Sequence, residues 1–265
     1  MSLDSVFRWP LPALWALFAG IMVAALEVGR LLGTRAGAKI DAEARTYASG
    51  LQAAILGLLA LLLGFAFSLS ASHFVANRDL VTEEANVIDT AFRRADLAVE
   101  PQRSALKAQL RRYLETRIAY YTPGLDPPGR QRIDEASYSL QEDLWRTTAA
   151  AADRSSTCLT ALLVYAVNRV IEMHETRVDA ARNHIPRIVM WLLLSMAAAG
   201  TALTGYVSVL GRGRQRSPTA IIVVLIALVL VAIVDLDRPI RGLIHGGQPS
   251  LLKLRRVMAL PTTQR

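Results

Sequence analysis

Side chains able to do chemistry are few and scattered in this chain. The single Cys158 has no thiol partner, so no disulfide framework exists. A reactive thiol needs a base and an electropositive pocket. Its neighbours Thr157 and Leu159 supply neither, and Cys158 is expected to be a small buried helical residue. His73, His174, His184 and His245 lie far apart, and Met173-His174-Glu175, half of a metal motif at best, is expected on an exposed helix face. No Gly-rich phosphate loop, His-Glu-x-x-His or paired-Cys pattern occurs. The expectation is a protein that is not an enzyme and carries no cofactor. Two acidic features remain. Glu27 and Arg30 are spaced to pair across one helical turn. Asp235 and Asp237 are a possible weak cation site, although two carboxylates fall short of the roughly six to eight oxygens that calcium takes; a cap or salt bridge is favoured.

The most informative spacing lies between residues 50 and 78. Gly50, Gly57 and Gly64 recur every seven residues, so they share nearly one helical face, where small residues let another helix approach closely. Leu58, Leu61, Leu62 and Phe65 form a bulky seam, followed by Ser68, Ser70, Ser72 and His73. Apolar bulk at mid-depth with hydroxyls beyond it fits a pore gated by dewetting. It fits the core helix of an inert bundle equally well.

The elements that hold these residues follow from the charge distribution. Residues 71–186 hold 31 of the 52 charges, whereas 11–26, 53–67, 188–211 and 219–234 hold none. With 52% hydrophobic residues, this clustering excludes an ordinary soluble globule and a disordered chain. Four spans are expected at 11–26 (extended to 28), 51–69, 188–210 and 219–234. A bilayer core of about 30 Å needs roughly 20 helical residues. The two short spans would gain length by snorkelling of Arg8, Arg30, Arg216 and Arg238. The net charge of +8 does not signal nucleic-acid binding. The middle segment is near neutral, and the excess lies beside the apolar stretches, where cations meet anionic headgroups.

The insert 71–186 reads as helical. Phe74, Val81, Ile88 and Phe92 recur at helical steps, Pro101 opens a helix with Leu106, Leu110, Tyr113, Leu114, Ile118 and Tyr121 on its apolar face, and a loop is expected over 122–130. A helix follows from about Ile133, with a break at 153–157. The last helix carries Leu162, Val167, Val170 and His174 and stops before Pro186. No strand pattern or internal repeat is present. The layout is spans 1 and 2 in 1–70, the insert 71–186, spans 3 and 4 in 187–236, and a tail 237–265.

Leu58-Leu-Ala-Leu-Leu-Leu-Gly-Phe-Ala-Phe-Ser-Leu-Ser70 and Glu83-Glu84-Ala85-Asn86-Val87-Ile88-Asp89-Thr90-Ala91 resemble the bacterial bestrophin-like membrane domain family. Glu27-Val-Gly-Arg30-Leu-Leu-Gly33, Val167-Asn168-Arg-Val-Ile171 through His174 and Arg177, and Asp235-Leu-Asp-Arg-Pro239 with Gly242 extend the resemblance over nearly the whole chain. The family is named for bestrophins, pentameric anion channels with four spans and a helical cytosolic region. The resemblance implies an all-α, four-span fold with a helical cytosolic insert between spans 2 and 3. It also implies a pore neck formed by Leu61 and Phe65 with Gly57 above; from the residues themselves, Ser68, Ser72 and Arg78 are expected at the mouth of such a pore. The acidic run of the bestrophin calcium clasp is reduced here to Asp235 and Asp237, and Gly57 stands where bestrophins place bulk.

The resulting expectation is a homo-oligomeric, pentameric anion channel of the cell (inner) membrane, with the insert and both termini cytosolic. Its partners would be the bilayer, further copies of itself and small inorganic anions, not nucleic acid. The rival is a non-conducting membrane scaffold or sensor whose insert binds a partner. A transporter would favour broken spans and polar midplane groups, and these spans offer little of either.

Overall fold

The computed structural model describes residues 11–36, 41–122, 125–154, 157–182, 185–210, 216–237 and 247–259. Arg8, His184, Arg238, Pro239, Gly242 and His245 lie outside them. The described residues form eight α-helices: α1 Leu11–Ala36, α2 Ala42–Arg94, α3 Gln102–Tyr120, α4 Pro127–Arg154, α5 Cys158–Arg182, α6 Arg187–Leu210, α7 Arg216–Leu236 and α8 Pro249–Ala259. A 3-10 turn, Ala95–Leu97, follows α2. Four of the helices, α1, α2, α6 and α7, contain stretches long and apolar enough to cross a membrane, at the places the uncharged stretches predict. The chain is an all-α membrane protein that divides into two compact units, 1–74 with 184–244 and 75–183 with 245–265.

In the first unit, α1 buries Leu14, Phe18, Met22, Leu26, Gly29 and Gly33. These steps of four and three residues trace one helical face. The face meets α6 at glycine contacts. A Cβ on Gly29 would collide with the Ala202 carbonyl oxygen, one on Gly33 would come within 2.7 Å of the Tyr206 carbonyl oxygen, and one on Gly205 would collide with the Leu26 carbonyl oxygen. Such backbone contact is open only to residues without a side chain. Gln52 Nε2 of α2 donates to Thr204 Oγ1 of α6 at 3.1 Å, a polar tie between two apolar helices. Leu59, Leu63 and Ala66 of α2 bury against the same apolar cluster, as do Leu193 and Ala197 of α6 and Ile226, Leu230 and Ile233 of α7.

In the second unit, Val81, Ile88 and Phe92 of α2 pack with Leu106, Leu110, Tyr113, Leu114 and Ile118 of α3, Leu144 of α4, and Leu163, Val167 and Val170 of α5. The expected periodicity of α2 and α3 is met except at Phe74 and Tyr121, which are half-buried. The register of α5 is not: Leu163 is buried and Leu162 exposed. The loop expected over 122–130 is also shorter, because α4 already begins at Pro127. Asp126 Oδ1 accepts from Gly129 N at 2.9 Å and caps the first turn. A proline there forfeits only an N–H that no helix would use.

The tail is assigned no helix from the sequence. It contributes α8, whose Leu251, Leu254 and Met258 join the core of the second unit. Arg111 of α3 fastens it, with Nε and Nη2 donating to the Met258 carbonyl at 3.3 and 3.1 Å. Cys158 was expected to be buried and is exposed. The inward face of α5 runs through Thr160, Leu163, Val167, Val170, His174 and Arg177, and Cys158 falls off that stripe.

Candidate functional site

The second span presents two faces. Ala48, Leu59, Leu63, Ala66 and Ser70 point into the first unit and are buried. Opposite them, Gly50, Gly57, Leu61, Gly64, Phe65, Ser68 and Ser72 are all exposed. At 100° per residue these seven fall within a stripe about 100° wide. The glycines therefore share a surface with Leu61 and Phe65 of the bulky seam, while Leu62 is half-buried against the core of the first unit. Leu61 is 55% and Phe65 65% exposed, unusual for large apolar groups outside an interface or lipid. A Cβ on Gly50, Gly57 or Gly64 would meet nothing within 4 Å in its own chain. Inside the chain, close helix contact is made at Gly29, Gly33 and Gly205. Ser72 turns its hydroxyl back to the Ser68 carbonyl at 2.9 Å, and Arg78, in the second unit, is exposed.

Arg30 Nη1 pairs with Glu27 Oε1 at 2.5 Å, and its Nη2 donates to Thr219 Oγ1 at 3.1 Å, tying α1 to α7. Asp237 Oδ1 accepts the Ile185 N–H at 3.1 Å, so it holds the approach to α6. Asp235 is buried. Among the described residues no cluster of three or more metal-ligating side chains forms, at Asp235 and Asp237 or elsewhere.

The second unit holds a polar constellation in its core. Glu84 of α2, Arg117 of α3, and His174 and Arg177 of α5 are all buried. Arg117 Nε donates to Glu84 Oε1 at 2.6 Å, and its Nη1 lies 3.7 Å from Asp134 Oδ1 of α4. Arg177 Nε lies 3.6 Å from Glu84 Oε2, its Nη1 donates to the Asn77 carbonyl at 2.8 Å, and its Nη2 meets the Tyr121 hydroxyl. Two guanidinium groups thus face two carboxylates, and four helices share the charges. Burial alone would lower the Arg117 pKa, but the Glu84 carboxylate beside it reverses the sign and raises it. Burial lowers Arg177 despite Glu84, helped by the charge of Arg117. Burial raises Tyr113.

His174 was expected on an exposed face. It is 0% exposed, stacked edge-on to Tyr138 at 4.9 Å between ring centres. Its Nδ1 lies 3.5 Å from the Tyr113 hydroxyl, and Gln141 Nε2 donates to that hydroxyl at 3.4 Å. Met173 is buried as well, and Glu175 alone of the triplet is exposed.

The profile of the bestrophin-like domain matches residues 16–245, most of the chain. The chain belongs to the bestrophin-like family. The fold of the domain is similar to the crystal structure of a bacterial bestrophin homologue from Klebsiella pneumoniae, with a TM-score of 0.63 at 14% identity, covering 94% of this chain and 97% of that one. A single-substitution variant of that homologue aligns with a TM-score of 0.60 at 14% identity over 89% of this chain and 97% of the other. A crystal structure described as a membrane protein aligns with a TM-score of 0.62 at 15% identity over 94% and 97%. No curated protein matches the sequence.

Within the bestrophin-like domain, Glu84 comes from one of the stretches that carry the family resemblance and His174 and Arg177 from another, and the fold brings them together. Arg117, Asp134 and Gln141 were not singled out in the sequence. The only signal for Arg117 was its spacing, three and four residues from Leu114 and Tyr113 on the apolar side of α3.

Proposed function

We propose that this protein is a homo-oligomeric ion channel in which span 2 of each copy lines a shared pore. The observation that carries this reading is the exposed stripe of α2, with Leu61 and Phe65 among glycines and serines. A large apolar face left uncovered by its own chain, in a family named for bestrophins, fits a surface completed by neighbouring copies. In the proposed assembly, a pentamer, Leu61 and Phe65 form two apolar rings one turn apart, about 5.4 Å, which resist wetting and keep a narrow pore dry at rest. Ser68, Ser72 and Arg78 lie beyond the rings, and Arg78 raises the local concentration of small inorganic anions by its field. The pore is anion-selective, and the insert and both termini face the cytosol of the inner membrane.

Truncating both rings, Leu61→Ala with Phe65→Ala, widens and wets the constriction. In liposomes the double variant is expected to release chloride faster than wild type, with potassium lagging. Negligible flux from both proteins, with the oligomer intact, would leave a scaffold in place of a channel. Faster potassium than chloride would keep the pore and overturn the anion assignment.

Gly64 tests the assembly separately. A Cβ there meets nothing within 4 Å in its own chain, so Gly64→Leu should fold normally while weakening contact between copies, at a cost of about 1–3 kcal/mol from overpacking. Sizing in detergent reads this directly; an oligomer of unchanged mass and stability would place that glycine against lipid.

A further inference from the structure

We propose that His174 makes the helical insert acid-sensitive: adding a proton to its buried imidazole breaks the contact of α5 with α3 and α4 and opens the second unit. The geometry leaves a second proton no favourable place. The Tyr113 hydroxyl already accepts from Gln141 and has His174 Nδ1 before it. The economical assignment is that this hydroxyl donates to Nδ1, so the neutral ring carries its hydrogen on Nε2. That Nε2 is buried and has no hydrogen-bond partner. Protonation therefore falls on Nδ1, pointing a second donor at an oxygen that already receives one and displacing the phenolic hydrogen.

Among the described residues, the carboxylates of this core, Glu84 and Asp134, already face the guanidinium groups of Arg117 and Arg177. Facing His174 from α3 are Tyr113 and the cation Arg117, which is held by Glu84 of α2 and by Asp134 of α4. From α5 itself comes Arg177, also beside Glu84. From α4, Tyr138 presents an aromatic ring. An imidazolium here would be a third buried cation against two committed carboxylates, and such a group opens the structure or stays neutral.

Burial, with the Arg117 charge behind it, lowers the His174 pKa to about 4, against an ordinary value of 6.5. The sign follows from linkage. The open state binds the proton more readily, so the closing contribution is complete above pH 6.5 and is lost as the pH falls from 6.5 toward 4. The open population rises by up to about tenfold per pH unit across that window.

Amide hydrogen exchange on the full chain in detergent, between pH 7.5 and 4.5 and corrected for intrinsic exchange, tests this. Peptides from α3, α4 and α5 are expected to lose protection from about pH 6.5 downward, while α1, α6 and α7 do not. His174→Gln should flatten the profile above pH 5. Protection unchanged down to pH 5 in wild type would overturn the proposal, as would an identical loss in His174→Gln. If that variant does not fold, the wild-type onset decides: near 6.5 it is the histidine, and below 5 it is the carboxylates and the proposal fails.

Discussion

Glu84→Gln is expected to destabilise the second unit by about 3–5 kcal/mol, the range for breaking a buried ion pair from one side. The substitution keeps the shape of the side chain and removes its charge. Arg117 and Arg177 then share a core with Asp134 as the remaining carboxylate of the group, and burial isolates them from water. A loss this large is a substantial part of the stability of a typical domain. Thermal or denaturant unfolding of the purified protein measures it. Combining Glu84→Gln with Arg117→Met should recover part of the loss, because the stranded guanidinium goes with its partner; a double-mutant cycle then gives the coupling. A single variant within 1 kcal/mol of wild type would mean that water reaches the pair and that the cluster is not a structural lock.

The second large effect belongs to the first unit. Gly29→Ala and Gly205→Ala each place a methyl group against the backbone of the opposite helix, the Ala202 and Leu26 carbonyls respectively. No rotamer change relieves a clash with backbone, so α1 and α6 must separate along their contact. The expected cost is about 3 kcal/mol or more, at or above the upper end for overpacking. It should appear as loss of folded protein on sizing in detergent. Gly20→Ala, on α1 itself, is the control: its Cβ meets nothing within 4 Å, and yield and stability should not fall. Equal behaviour of all three variants would show that α1 and α6 do not approach as described.

The four candidate spans were legible because long uncharged stretches stand out in the sequence and are what crossing a bilayer requires. The insert helices were legible where their buried faces are apolar, as at Ile88, Phe92, Leu106 and Leu110. The polar core was not. Glu83 and Glu84 are adjacent and chemically identical, yet one is exposed and the other buried. Charge alone assigns both to solvent, and only the distant Arg117 and Arg177 make one of them an interior residue. His174 misled for the same reason, since its partners sit on other helices. The glycines show a further limit. Spacing of seven marks where α2 is narrow but says nothing about what lies opposite, whereas Gly29 and Gly205 matter because two helices happen to face one another. The stripe holding Gly57, Leu61, Phe65, Ser68 and Ser72 was readable as a set of types, and its exposure came from the fold.

The place of α8 bears on the order in which the chain is made. Residues 75–183 leave the ribosome well before 249–259, with α6 and α7 synthesised between them. Until Leu251, Leu254 and Met258 arrive, the insert has an unfilled apolar recess where they belong. Closure of the insert thus waits for the third and fourth spans to be synthesised. A chain stopped before Pro249 would be left with an unfinished interior, a target for chaperones and proteases, even with every membrane segment complete.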